Sequence, residues 1–105
     1  MIIGTSVSAD SISPGMASMV QNRLGAQCPA FDINAACPGF IFGLEIAAGF
    51  FARGTVKKAL VVSSERMSGL LDWSDRSTCC IFGDGAGAAV LGEGDGYLAS
   101  RAGMM

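Results

Sequence analysis

Residues 38–54, PGFIFGLEIAAGFFARG, are apolar around most of a helical circumference, open on a proline and close on a glycine. Proline suits the first helical turn, where its missing N–H costs nothing, and glycine suits the position just past a helix end. A helix that is hydrophobic nearly all round is enclosed on nearly all sides, so the rest of the fold has to cover more than one of its faces. The stretch is interrupted by Glu45 and falls short of the roughly 20 residues that cross a bilayer. It reads as a core helix and not a membrane span.

The flanking segments indicate what surrounds it. Ala30–Ile33 before the helix and ALVVSS, Ala59–Ser64, after it read as strands. Two strands joined through a helix pair in parallel with a right-handed crossover, and a sheet of that kind carries helices on both faces. IIGTSVS, residues 2–8, is another strand-like run, and Ser13-Pro14 can start a helix running to about Leu24 with Gly25 as its stop. RMSGLLDWSDRST, residues 66–78, is polar and turn-rich enough for a surface loop. IFGDGAGAAVL and GYLASRA supply two more strand candidates. The first strand has no preceding turn or cap and the last segment no finishing signal, so both ends are expected to belong to something longer.

Composition agrees with a buried α/β core. The chain has 105 residues, half of them apolar, and 15 glycines, which permit close backbone approach. A mean hydropathy of +0.46 is high for so small a body, so part of its apolar surface is expected to meet further protein. The net charge is −2 and the seven basic residues are scattered, which leaves no footprint for nucleic acid. The four cysteines, Cys28, Cys37, Cys79 and Cys80, lack CxxC spacing, and the chain has no histidine. Neither a zinc site nor a disulfide framework is indicated, and with no secretory segment a reducing cytoplasm is the expected compartment.

The most informative stretch for chemistry is FDINAACPGFIFG, which sets Cys37 where a strand ends, immediately before the proline-initiated helix. Unpaired amides and the positive end of the helix dipole favour thiolate over thiol and can hold a developing oxyanion. Ala35, Ala36 and Gly39 are small enough to let an acyl chain or pantetheine arm approach. The competing reading is a small buried hydrophobe, the usual fate of an unpaired cysteine. Cys28, before Pro29, and the Cys79-Cys80 pair, in an apolar run, read as core or incidental cysteines.

FGDGAGAAVL invites a phosphate-loop reading, but no Lys-Ser/Thr follows and the segment leads into a strand instead of a helix. Its glycines more plausibly let the segment lie against the cysteine loop, with Asp84 hydrogen-bonded to turn amides.

Taken together, AFDINAACPGF, the strand ALVVSSE and DRSTCCIFGDGAGAAVLGEG resemble β-ketoacyl-acyl-carrier-protein synthase III, a branch of the thiolase-like superfamily. The resemblance covers nearly the entire chain. It implies that residues 1–105 are a partial N-terminal half-domain of a thiolase-like α/β fold, mostly parallel, with helices on both faces. It also implies that Cys37 takes an acyl group from acyl-CoA, which is then condensed with malonyl-acyl-carrier-protein to start fatty acid synthesis. No metal or bound cofactor is implied, because the thioester itself keeps the acyl group activated. By the same resemblance, Phe82 lies beside the acyl pocket, Arg76 at the mouth of the CoA site, and the protein is a homodimer.

Each of these roles has a plain alternative. Arg76 reads equally well as a solvated loop charge and Phe82 as core packing, while Trp73 either covers CoA or meets another subunit. The catalytic histidine and asparagine that the resemblance implies have no counterpart here: there is no histidine, and Asn22 and Asn34 do not match the position. A second reading is therefore a catalytically silent fragment that acts only through self-association.

Overall fold

The computed structural model describes residues 1–103. Strand β1, Ile2–Thr5, is buried at every position, as expected for an apolar run with neighbours on both edges and helices on both faces. It pairs in parallel with β2, Ala30–Ile33, on one side and with β3, Lys58–Arg66, on the other. Strand β4, Asp84–Gly92, adds to β3 in antiparallel register, with Lys58 opposite Gly92 and Arg66 opposite Asp84. The sheet order is β2-β1-β3-β4.

Helix α1, Met16–Leu24, and helix α2, Gly39–Ala52, lie on opposite faces. Successive strand residues point to opposite sides. A Cβ on Gly4 would run into Asp32 and the start of α1, whereas one on Gly43 of α2 would meet Val61 and Ile3. Gly4 therefore faces α1 and Ile3 faces α2. The core is Ile3, Ala47, Ala59 and Val61, with Phe31, Phe40 and Leu44 among the half-buried residues packed on it.

Helix α1 begins at Met16, after the expected Ser13-Pro14 start, because its cap comes from another element. Asp32 of β2 accepts the Ala17 N–H through Oδ1 at 2.9 Å, while Gly15 itself provides no side-chain cap. A Cβ on Gly4 or Gly15 would overlap the Asp32 carboxylate, so both glycines make room for it. Gly25 ends the helix in the left-handed region, φ 62°, as its position predicts.

Three expectations are corrected. Helix α2 buries one stripe, Gly39, Gly43 and Ala47, while Ile41 is 64% and Phe42 39% exposed. Small residues at a four-residue spacing seat the helix closely on the sheet, and the large apolar side chains of its other face find no partner within the chain. The two-sided cover expected for the sheet holds at β1 and fails at β4, which is exposed at seven of its nine positions. The GYLASRA segment is not a strand. It lacks apolar alternation and leaves Leu98 90% exposed, so it has no apolar face to bury. Tyr97 Oη–H instead reaches Glu45 Oε2 at 3.3 Å.

Candidate active site

The loop from β2 to α2 is a tight turn built around Cys37. Asn34 Oδ1 accepts the Ala36 N–H at 3.3 Å, and Ala36 O accepts the Gly39 N–H at 3.0 Å. Ala36 closes this turn at φ 51°, a left-handed conformation in a residue other than glycine. Such a conformation costs about 1–2 kcal/mol for an L-residue and is most often retained where function fixes the backbone. Nothing in the sequence signals it, since neither glycine nor asparagine stands there.

Cys37 is exposed and free. It immediately precedes Pro38, the N-cap of α2, which makes no side-chain cap. Pro38 O accepts the Phe42 N–H at 3.0 Å, so the amides of Phe40 and Ile41 in the first turn are left without intrahelical acceptors. The positive end of the helix dipole is therefore not neutralised by a local carboxylate or hydroxyl. A cysteine at the head of an uncapped helix can attack a carbonyl and leave amide donors for the resulting oxyanion.

The small residues around Cys37 do different work from that expected. Gly39 is buried, and a Cβ there would overlap Thr5 Oγ1, so its smallness serves helix–sheet packing and not substrate approach. Ala36 is exposed and Ala35 half-buried.

The loop that follows β3 holds the other two candidates. Its serines wrap carboxylates in consecutive turns: Asp72 Oδ1 accepts Ser74 N–H at 2.9 Å and Oγ–H at 2.6 Å. Asp75 Oδ1 accepts Ser77 N–H at 3.0 Å and Oγ–H at 2.6 Å. These bonds hold both carboxyls below the usual carboxylate range, the serine hydroxyls contributing most. Arg76 sits exposed between the two serines. Phe82 is 45% exposed, its N–H bonded to Thr78 O at 3.2 Å. Trp73 is 63% exposed and donates Nε1–H to Ser68 O at 3.3 Å.

Among the described residues no hydrogen bond joins Cys37 to Arg76 or Phe82. One cavity of about 370 Å³ lies beside the β1–α1 loop and includes Ser6, Met16 and Arg23 on its walls. A second, of about 690 Å³, lies between the C-terminal half of α2 and the end of β4, with Phe51 and Tyr97 on its walls. Neither reaches the cysteine. The glycines of the FGDGAGAAVL segment do not serve close packing on the described residues: a Cβ on Gly83, Gly85 or Gly87 would meet nothing within 4 Å. Asp84 does bind a turn, as expected, accepting Ser68 N–H at 2.8 Å and Oγ–H at 2.5 Å.

One polar constellation escaped sequence reading. Glu65, at the end of β3, accepts the Val7 N–H at 2.9 Å, the Ser8 N–H at 3.1 Å and the hydroxyls of Ser6 and Ser8. It ties down the start of the β1–α1 loop.

A mixed four-stranded sheet with a helix on each face matches the thiolase-like fold of solved 3-oxoacyl-[acyl-carrier-protein] synthase III structures. The chain superimposes on the crystal structure of 3-oxoacyl-[acyl-carrier-protein] synthase III from Aquifex aeolicus with a TM-score of 0.86 and 45% identity, over 90% of this chain and 31% of that one. For the Thermus thermophilus β-ketoacyl synthase III the values are 0.87 and 40%, over 91% and 30%. Among curated relatives, β-ketoacyl-[acyl-carrier-protein] synthase III of Natranaerobius thermophilus is 55% identical over 93 residues, 88% of this chain and 28% of its own length. That of Caulobacter vibrioides is 49% identical over 104 residues, 96% of this chain and 32% of its own length.

The sequence model of the 3-oxoacyl-[acyl-carrier-protein] synthase III family matches residues 31–103, and the chain belongs to that family. It spans about a third of the length of the curated relatives it matches. No helix among the described residues is long and apolar enough to cross a membrane.

Proposed function

We propose that residues 1–105 are the nucleophile-bearing part, a partial N-terminal half-domain, of an enzyme that loads an acyl group from acyl-CoA onto Cys37 and condenses it with malonyl-acyl-carrier-protein. The observation that carries this reading is the exposed Cys37 directly ahead of an uncapped helix N-terminus. In the loading step Sγ attacks the thioester carbonyl, the bond from that carbon to the CoA sulfur breaks, and CoA leaves as a thiolate. The proton lost by the Cys37 thiol goes to solvent or to the departing CoA. The thioester formed remains activated toward a carbanion. No metal or bound cofactor takes part in this scheme.

Phe82 beside the acyl chain and Arg76 at the CoA phosphates complete the proposal, both supported by the resemblance of the DRSTCCIFGDG stretch. A guanidinium suits phosphate or a stacked adenine. Decarboxylation of the malonyl group needs donors for the developing charge. The chain has no histidine, so the histidine and asparagine of the resemblance must come from outside these residues. Four free cysteines fit a reducing cytoplasm.

Incubation with acetyl-CoA followed by intact mass measurement tests the loading step. One acetyl group on the wild-type chain, absent from Cys37→Ala, is the expected result. An acetyl group that persists in Cys37→Ala, or none on a folded wild-type chain, counts against it.

A second reading, in which this piece is catalytically silent and acts by self-association, is favoured by its exposed apolar residues: Ile12 is 100%, Ile81 76% and Val90 74% exposed. It fits the homodimer that the resemblance implies. Sedimentation that reports a monomer at all concentrations would remove it.

A further inference from the structure

The Cys79-Cys80 pair plays no part in the proposed acyl transfer. Its two sulfurs lie 4.0 Å apart, both thiols are free, Cys79 is half-buried and Cys80 exposed. The backbone under them is held: Cys79 N–H bonds to Asp75 O at 3.0 Å, and Ile81 N–H to Thr78 O at 3.0 Å. The pair is thus a preorganised dithiol and not two independent side chains on a loose loop.

Direct closure to a disulfide is disfavoured by geometry. Neighbouring Cα atoms are about 3.8 Å apart across a trans peptide, whereas disulfides ordinarily span about 4.4–6.8 Å between Cα atoms. An atom inserted between the sulfurs escapes that constraint. With sulfur bonds of about 2.3 Å, as for zinc, a pyramidal bridging centre needs the sulfurs slightly closer than the observed gap, which rotation about the two Cα–Cβ bonds supplies. Soft, thiophilic centres are the ones that thiolates select. Among the described residues no group of three or more potential ligands surrounds the pair, which points away from a resident metal and toward a centre satisfied by two sulfurs.

We propose that Cys79 and Cys80 form a two-sulfur clasp for trivalent arsenicals. With an organoarsenic(III) oxide, two As–S bonds form and the arsenic–oxygen bond breaks. The two thiol protons leave with that oxygen as water, and arsenic stays trivalent, so no oxidant or reductant is needed. Among the described residues neither Cys37 nor Cys28 makes a sulfur–sulfur hydrogen bond, and each offers only a monothiol. Monothiol adducts exchange with free monothiol, while a chelate persists through the effective concentration of its second sulfur.

The full chain is treated with phenylarsine oxide in excess glutathione and its intact mass measured. The expected result is one retained adduct, released by 2,3-dimercaptopropanol, lost in Cys79→Ser and in Cys80→Ser, and kept in Cys37→Ser and Cys28→Ser. Circular dichroism establishes that each serine variant is folded. Retention in Cys79→Ser or Cys80→Ser, loss in Cys37→Ser, or no retention by the folded wild-type chain would overturn the clasp. The readout is independent of acyl loading on Cys37, so either proposal can fail alone.

Discussion

Gly39 of α2 and Thr5 of β1 approach so closely that a Cβ at position 39 would overlap Thr5 Oγ1. This contact sets the depth at which the helix behind Cys37 docks on the central strand, and so the height of the cysteine above the sheet. Gly39→Ala should destabilise the chain by about 1–3 kcal/mol through overpacking, outweighing a helix-propensity gain of at most about 1 kcal/mol. Adding Thr5→Ala should recover part of the loss. Gly49 is the control: it lies in the same helix with nothing within 4 Å of its built Cβ, so Gly49→Ala should stabilise by about 0.5–1 kcal/mol. Urea unfolding midpoints of the four chains decide between the two outcomes.

Asp32 caps a helix fifteen residues earlier in the chain. Asp32→Ala removes the acceptor of the Ala17 N–H and should cost about 1 kcal/mol, in the range of lost N-caps. Asp32→Asn keeps an acceptor and should cost less. Equal losses in the two variants, measured by chemical denaturation, would mean that the carboxylate contributes through charge alone.

Much of this fold is legible in the sequence, and the parts that are not share a cause. Pro38, Gly54 and Gly25 mark helix ends through local backbone chemistry, and ALVVSS and GAGAAVL carry the β pattern, so α2, β3 and β4 appear where expected. The start of α1 depends on Asp32, a residue distant in sequence, and the role of Gly39 depends on Thr5 across the helix–sheet contact. Neither has a local signature, although a lone acid inside the strand AFDI is a hint. The outer face of α2 misled because hydrophobicity reports a need for cover, not which chain provides it. In the site, the strand–helix junction of Cys37 could be read directly, but a common pocket with Arg76 and Phe82 is a matter of tertiary arrangement that spacing does not contain.

Glu65 gathers the Val7 and Ser8 amides and the Ser6 and Ser8 hydroxyls. Hydrogen bonds to a charged acceptor contribute about 1.5–3 kcal/mol; those from Ser6 and Ser8 are part-buried and the one from Val7 is exposed. Glu65→Ala should therefore lower stability by about 2 kcal/mol and raise amide exchange at Val7 and Ser8. Glu65→Gln should fall between, since its amide has one accepting oxygen. Unchanged exchange at both amides in Glu65→Ala would show that the loop is held by other contacts.

The Asp84 carboxyl is held below the usual carboxylate range, chiefly by the Ser68 hydroxyl and then by the Ser68 N–H, with Arg66 assisting. A folded-state value lower than the unfolded one gives stability that is present above the unfolded value and lost as pH falls through the folded one. The turn at Met67–Gly69 should accordingly loosen only in acid, below the ordinary carboxylate range. Carboxyl carbon shifts should show Asp84 titrating below the ordinary carboxylate range, and amide exchange at Ser68 should rise over the same window. Asp84→Asn should abolish that acid dependence at Ser68.

Ala36 is where backbone strain and chemistry meet, one residue before the nucleophile at φ 51°. Glycine occupies this region without the steric cost of about 1–2 kcal/mol borne by an L-residue, but it also loses more freedom on folding, by about 0.4–1 kcal/mol. These effects oppose, so Ala36→Gly should leave stability within about 1 kcal/mol of wild type. A β-branched residue keeps that cost and adds crowding at its branched Cβ, so Ala36→Val should be less stable than both wild type and Ala36→Gly. The two variants separate packing from positioning. If the turn exists to hold Cys37 ahead of the free amides of α2, Ala36→Gly should slow acetyl transfer from acetyl-CoA, with alkylation by iodoacetamide little changed because the sulfur stays exposed. Equal slowing of both reactions would mean that the turn governs access to the thiol and not its alignment with the helix.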